Sequence, residues 1–462
     1  MTHSDTGPAG GRGGSKRGGP PGTTAVLVGV QLLLVLDTTV ITSATPVMSR
    51  QLHTGVGRVS LAQGVYALAF GGLLLLGGWC ADRFGALRAL RWALGAFALS
   101  GGAVTMVGAV GPVIVLRALQ GACAALAAPA TLALLIDLPP RRARRALGWF
   151  AAVGAIGLAL GVGLGTPLIA AAGWRAGFPG PAVIALALLI GTVPLGRGRT
   201  GGGRRSAGAD GRPPVLLSAA VTVLLAAAEA ALLARSWWTP LAALAAASPL
   251  LLAVLRADAG RTRPVIPPSM TAATTARAGL VLMTAFGGWQ AAEVLLVAVR
   301  LDSLRAAHPW LAGLPFWLQG AAALLCAPAV QRLCESGRAL GPIMTLSPCA
   351  AGLGFIVIGA TRSTGPAAAC VATVVFGVAA VSASTAATLT TASAADAPPG
   401  RVGAVMTSAR QLGTSVGTCV VGALLGAPLG SPGRACALAA GAVVIVLGLA
   451  ASPRGRRAEG RG

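Results

Sequence analysis

Apolar residues recur along this chain in runs too long and continuous for one face of a soluble helix, broken by short basic or Gly/Pro-rich connections. A membrane-crossing helix needs about 20 mostly apolar residues. On that template, spans are predicted near residues 24–47, 60–79, 89–108, 112–136, 146–170 and 178–196, then 214–234 and 238–255, then 277–299, 311–330, 341–360, 366–390, 403–427 and 435–452. That makes fourteen, with an Arg/Gly-rich loop at 197–212 separating the first six from the rest.

The loops between the spans predict orientation, because cytoplasmic loops carry the excess of Lys and Arg. With both termini in the cytoplasm, 27 basic residues are counted inside, Arg401 and Arg410 among them, and eight outside, Arg50, Arg58 and Arg175 among them; the one that remains, Arg117, lies within a span. The loop Asp82-Arg83-Phe84-Gly85 has a weak echo in Cys334-Glu335-Ser336-Gly337 after the tenth span. Together with the basic linker, this predicts an all-α membrane protein of six spans, an inserted pair and six more, as in transporters built from parallel repeats. The expected organisation is a disordered basic tail (1–23), an N-terminal six-helix bundle (24–196), a cytoplasmic linker (197–213), an inserted helix pair (214–255), a cytoplasmic loop (256–276), a C-terminal six-helix bundle (277–452) and a basic tail (453–462).

Composition excludes a water-soluble multidomain enzyme. The 462 residues are 55% hydrophobic and 10% charged with a mean hydropathy of +0.77, whereas roughly a quarter of a soluble domain is charged. The 66 Gly and 30 Pro run through the apolar segments, which spanning helices tolerate because their neighbours re-satisfy freed backbone groups. The net charge of +24 is expected to face anionic lipid. It does not predict nucleic acid as a partner, since the chain has a single Tyr and its arginines form no continuous stripe. Eight cysteines without a C-x-x-C pair read as small buried side chains.

Ionisable residues inside spans carry the chemistry, since each costs roughly 2.5–3.5 kcal/mol at a helix centre and tends to mark a pathway. Four stand out: Asp37, Arg117, Glu229 and Glu293. Counted from the span ends, Asp37, Arg117 and Glu293 share the outward half. A carboxylate beside Arg117 is held ionised by the cation, while apolar surroundings favour its protonated form, so a small rearrangement can switch it. That is the behaviour a proton carrier needs. The plainer alternatives are a structural cap for Asp37 and outward snorkelling for Glu229. Gly157, Gly161 and Gly165 recur every four residues and give one smooth helical face for close packing.

Leu36-Asp37-Thr38-Thr39-Val40, ending in Ala44-Thr45-Pro46, resembles the first-span signature of the 14-span drug:proton antiporters of the major facilitator superfamily. Gly78, Asp82, Arg83 and Gly85 resemble that family's second-to-third loop motif, and Arg117-Ala118-Leu119-Gln120-Gly121 its fourth-span motif. The stretch from Asp137-Leu138-Pro139-Pro140 to Gly148, the three glycines with Pro167, and Ala409-Arg410-Gln411-Leu412-Gly413 through Gly417 are similar to later segments of the family. The resemblance implies the major facilitator fold. It also implies that Asp82 holds the cytoplasmic face in one conformation, that Arg83 pairs with Asp137, and that Arg117 sits beside the first-span carboxylate during proton transfer, with Thr38 and Gln120 as polar cavity residues. As an alternative, Arg83, Arg88 and Arg91 act only as topology anchors. The chain departs from the pattern at Ala86 and Leu87, where basic residues are usual, and at Val162, where a proline is usual.

The expected function is export of hydrophobic or amphipathic small molecules in exchange for protons, by alternating access in a bacterial inner membrane. No cofactor is expected, the proton gradient being the drive. The expected partners are the substrate, protons and the lipid bilayer, with the chain acting as a monomer. A transporter of a polar solute is the nearest alternative, using Thr38, Thr39, Thr42, Gln120, Gln290 and Gln319. A membrane-embedded transferase is more distant: His3, His53 and His308 lie in the tail and outer loops, and no D-x-D or phosphate-binding lysine motif occurs.

Overall fold

The computed structural model describes residues 22–139, 160–197, 268–302, 308–336, 339–360, 366–394 and 399–425, with isolated positions such as Gly157 between them. The inserted pair at 214–255, the span at 435–452, both tails, Gly337 and Glu229 lie outside the described residues.

The apolar runs become helices α1 (Thr23–Gln51), α2 (Val56–Phe84), α3 (Ala86–Val104), α4 (Val110–Ile136), α5 (Gly165–Ala172), α6 (Pro179–Gly191), α7 (Thr274–Arg300), α8 (Pro309–Glu335), α9 (Leu340–Ala360), α10 (Pro366–Ala394) and α11 (Pro399–Leu425). Among the described residues, eight helices are long and apolar enough to cross a membrane. Several overrun the expected spans: α1 and α2 each run 29 residues, longer than the roughly 20 that cross the hydrocarbon. Pro46, Pro129, Pro315, Pro328 and Pro348 all lie inside helices, where packed neighbours absorb the lost hydrogen bond.

Buried side chains gather into separate cores. Leu27, Leu33, Tyr66, Phe70, Leu90, Phe97 and Ala124 form one among α1 to α4. Val40, Ile41, Met48, Ile169, Trp174 and Phe178 form a second around the C-terminal half of α1 and α5. Leu282, Phe286, Trp289, Phe316, Phe355 and Phe376 form a third among α7 to α10. Val162, at the position where the family pattern has proline, belongs to this third core and so crosses to the other half of the molecule. Leu99, Val115, Ile190, Leu325 and Leu346 point outward, as lipid-facing positions must.

Two connections follow from backbone chemistry. Gly85 joins α2 to α3 with φ +93°, a conformation open to Gly and strained for residues with a Cβ. Arg91 donates from Nε to Thr192 Oγ1 at 3.0 Å and from Nη2 to the Thr192 carbonyl at 2.7 Å, closing the end of α6, where carbonyls lack helical partners. It is therefore more than a topology anchor. Arg91→Ala is expected to cost about 1–2 kcal/mol, read as a melting temperature a few degrees lower for the detergent-solubilised protein, with only partial recovery in Arg91→Lys.

Candidate functional site

The polar centre of the first half is built from three helices. Asp37 on α1 and Arg117 on α4 are 2% and 0% exposed, and Arg117 Nη1 donates to Asp37 Oδ2 at 2.7 Å. The same Nη1 donates to Gln120 Oε1 at 2.9 Å, while Nη2 reaches Gln63 Oε1 on α2 at 3.3 Å. The guanidinium lies over the Tyr66 ring, 4.2 Å from its centroid, where the π-face attracts a cation. Neither partner of such a pair can be removed cheaply, because the other is left as an uncompensated buried charge.

Gln63 and Tyr66 were not singled out by the sequence. Both lie on the buried face of α2, and Tyr66 is the chain's one tyrosine. Thr38 turns its hydroxyl back to the Val35 carbonyl at 2.7 Å.

In the second half, Glu293 on α7 is 1% exposed, and neither carboxyl oxygen has a hydrogen-bond partner among the described residues. Gln319 on α8 is its polar neighbour, yet the amide oxygen and nitrogen are also unpartnered. The structure thus does not join Glu293 to the Asp37–Arg117 pair, although all three are interior.

The glycine face lies along α1. A Cβ at Gly157 would meet Val35 Cβ at 3.0 Å, one at Gly161 would meet the Leu36 carbonyl and Thr39 Cβ at 3.0 Å, and one at Gly165 would meet Ser43 Oγ at 3.3 Å. The three glycines therefore track the turns of α1 that flank Asp37. Gly163 turns the other way, against the Trp317 indole and the Gly313 backbone of α8.

The loop motif is arranged differently from expectation. Asp82, Arg83 and Asp137 are exposed, and no Arg83–Asp137 ion pair forms among the described residues. Asp137 sits at the C-cap of α4. A Cβ at Gly78 would only touch Pro129 at 3.8 Å; the close approach to α4 belongs to Gly77, where a Cβ would meet the Ala125 carbonyl carbon at 2.7 Å.

Arg410 also departs from its expected place. It lies near the middle of α11 rather than in an inner loop, since the helix begins at Pro399, eleven residues earlier. At that level Ser408 Oγ donates to the Gly71 carbonyl at 3.2 Å, and a Cβ at Gly71 would meet Gln411 Cβ at 3.0 Å, so α2 and α11 touch at their midpoints.

Arg50, in the last turn of α1, pairs with Asp302 just after α7. An exposed pair of this kind is worth about 0–1 kcal/mol and is weakened by salt. Asp302→Asn is expected to raise the fraction of molecules in which the C-terminal ends of α1 and α7 stand apart, by up to about fivefold. Spin-label distances would read it, and 0.5 M NaCl should mimic it in the wild type; unchanged distances in both would show the pair to be idle.

A model of the Major Facilitator Superfamily matches residues 27–418. The tetracenomycin C resistance and export protein of Streptomyces glaucescens is 34% identical over 177 residues, 38% of this chain and 32% of that protein. A puromycin resistance protein of Streptomyces alboniger is 39% identical over 182 residues, 38% of this chain and 36% of that protein. The chain thus spans about a third of the length of these curated relatives. Among solved structures, a peptide transporter in complex with sulfate superposes with a TM-score of 0.67 at 17% identity, over 93% of this chain and 94% of that one, a likeness of fold alone.

Proposed function

The chain belongs to the Major Facilitator Superfamily, and on that premise we propose that it is a proton-coupled exporter of hydrophobic or amphipathic small molecules working by alternating access. The observation that carries this reading is the Asp37–Arg117 pair, fully buried between two membrane-spanning helices at 2.7 Å. A buried ion pair adds little to stability compared with well-packed apolar residues, and an intramembrane charge is a functional site by default.

Protonation of Asp37 discharges one partner, weakens the pair and frees the Arg117 fork for Gln120, Gln63 or a ligand. Loss of the proton restores it. Because the glycines leading into α5, Gly157 and Gly161, and Gly165 at its start lie on α1, a shift of the Asp37 segment is passed to that stretch and through Gly163 to α8. Glu293 is a second proton acceptor in this reading: a carboxylate left ionised without a partner in that interior costs several kcal/mol, and a proton removes the cost. Substrate and proton each bias the same equilibrium, and their effects on one another's affinity are reciprocal.

The export of tetracenomycin C and the resistance to puromycin named for the two relatives support a drug-like or secondary-metabolite substrate. The full arrangement proposed is fourteen spans, two six-helix bundles with an inserted pair, in a bacterial cell membrane with both termini cytoplasmic, acting as a monomer without a cofactor. In it Asp82 and Arg83 act at the cytoplasmic face, and Glu229 lies in the inserted pair.

Energised inverted membrane vesicles with a pH-sensitive dye test the reading. Adding a transported hydrophobic compound should dissipate the proton gradient in vesicles that contain the protein and not in those that lack it. Correctly inserted protein with no response to cationic, neutral or anionic compounds would overturn it.

A further inference from the structure

Where α1 and α5 finish, the molecule carries a cavity that neither the Asp37–Arg117 pair nor Glu293 uses. It measures about 540 Å³, opens to the surface, and is lined by Gln51 from the last turn of α1, three alanines at 170–172, Gly173, Trp174 and Arg175. Gly173 turns the chain there with φ +80°, a conformation strained for residues with a Cβ. The Gln51 amide lies against it, since a Cβ at Gly173 would meet Gln51 Oε1 at 3.3 Å and Nε2 at 3.5 Å. Arg175 is held from two sides: Nη2 donates to the Val107 carbonyl at 2.8 Å, and the guanidinium lies over the buried Trp174 indole, 4.7 Å from its centroid.

The cavity offers two opposite chemistries. Arg175 Nε and Nη1 have no hydrogen bond and no ion pair among the described residues, and a guanidinium fixed in place with open donors is prepared for a phosphate or carboxylate. The alanines bring acceptors, because the last carbonyls of a helix lack helical partners and carry its negative end; those at 170–172 accept no hydrogen bond among the described residues. Gln51 supplies one donor group and one acceptor. No carboxylate lines the cavity, and Asp302, the acid that follows α7, is taken by Arg50. An apolar stripe leads up to it: Leu168 and Leu164, one and two turns before Ala172, are 50% and 44% exposed, while Gly165 and Ile169 between them are buried.

We propose that this cavity binds the headgroup of a membrane phospholipid carrying both a phosphate and a primary ammonium, with the phosphate on Arg175 and Gln51 Nε2, the ammonium on the alanine carbonyls and Gln51 Oε1, and an acyl chain along Leu168 and Leu164. The exposed leucines commit the site to a lipid rather than to a soluble zwitterion, since a water-soluble ligand gains nothing from them. Arg and Trp at the end of a spanning helix sit at headgroup level. The inference concerns binding alone and holds whatever the protein transports.

Three dioleoyl lipids with different headgroups are the probes, titrated onto the detergent-solubilised full chain and read by native mass spectrometry. Phosphatidylethanolamine has both groups; phosphatidylcholine keeps the charges but loses the ammonium N–H donors, and phosphatidylglycerol keeps the phosphate but loses the cation. The ethanolamine lipid should bind about tenfold more tightly than either of the others. Arg175→Gln should weaken all three by about tenfold, with partial recovery in Arg175→Lys, because the phosphate is common to them. Gln51→Leu should weaken the ethanolamine lipid by about threefold and provides the test if Arg175→Gln fails to fold. An excess of water-soluble phosphoethanolamine should leave the bound lipid in place. Equal affinity for the three lipids, or binding unchanged in both Arg175→Gln and Gln51→Leu, would overturn the proposal. Displacement by phosphoethanolamine would overturn it too, by assigning the cavity to a soluble solute.

Discussion

Asp37→Asn is expected to leave a protein that inserts and folds but has lost proton-coupled transport, with the substrate-induced pH response in inverted vesicles falling at least about 100-fold, to background. Asn preserves the size of the side chain and an oxygen for the Arg117 Nη1 hydrogen bond, so packing around it is nearly unchanged. What it removes is the one carboxylate that can take up and release a proton against Arg117. Folding should survive because the guanidinium keeps Gln120, Gln63 and the Tyr66 ring, although loss of the counter-charge in a buried pair costs about 3–5 kcal/mol when nothing else compensates. Arg117→Leu, which strands the carboxylate instead, should therefore be less stable than Asp37→Asn. A pH response retained by Asp37→Asn would move the proton path elsewhere, with Glu293 the next residue to replace.

The second large effect is expected at the seam between α7 and α11. Gly287 and Gly288 on one helix meet Gly413 and Gly417 on the other so closely that an added Cβ lands on backbone: at Gly413 it would reach the Thr284 carbonyl carbon at 2.8 Å and Gly288 N at 2.9 Å. Backbone cannot rotate away as a side chain can. Overpacking a tight core costs about 1–3 kcal/mol even where side chains can give, so Gly413→Leu should yield no monodisperse protein in size-exclusion chromatography and Gly413→Ala a clearly destabilised one. Gly403→Ala on the same helix is the control, since its Cβ would meet only Leu132 Cδ2 at 3.5 Å. Equal stability of the Gly413 and Gly403 variants would show that the seam has more play than these contacts allow.

Much of this architecture can be read from the chain, and the rest has identifiable reasons for being hidden. Continuous apolar runs locate α1 to α4 and α7 to α11 to within a few residues, because crossing hydrocarbon imposes one length and one composition. Asp37 and Arg117 are legible because a charge in an apolar run is costly and therefore conspicuous. Gln63 and Tyr66 are not, since neutral polar residues incur little such penalty and nothing in the order of residues says which face of α2 they occupy. Arg410 is misplaced by the same logic that makes the loops informative: counting every arginine near a span end as a loop residue hides one that begins a turn or two deeper. Gly77 and Gly78 are adjacent, so only the direction of the α2 face toward α4 distinguishes the glycine that must be small. That Arg83 and Asp137 form no ion pair depends on how the ends of α2 and α4 meet, which spacing along the chain does not encode.

The meeting of α2 and α11 at Gly71, Ser408 and Gln411 has a mechanical consequence. Two rigid arms joined at mid-length have a fulcrum there, and any tilt that spreads their tips at one surface must pinch them at the other. Such a seesaw needs no signal carried between the surfaces, because a wedge driven in at either end is felt at the opposite end as leverage. The Arg50–Asp302 clasp ties α1 to α7 rather than the two arms themselves, so it acts away from the fulcrum, where a fraction of a kilocalorie decides which way the balance rests.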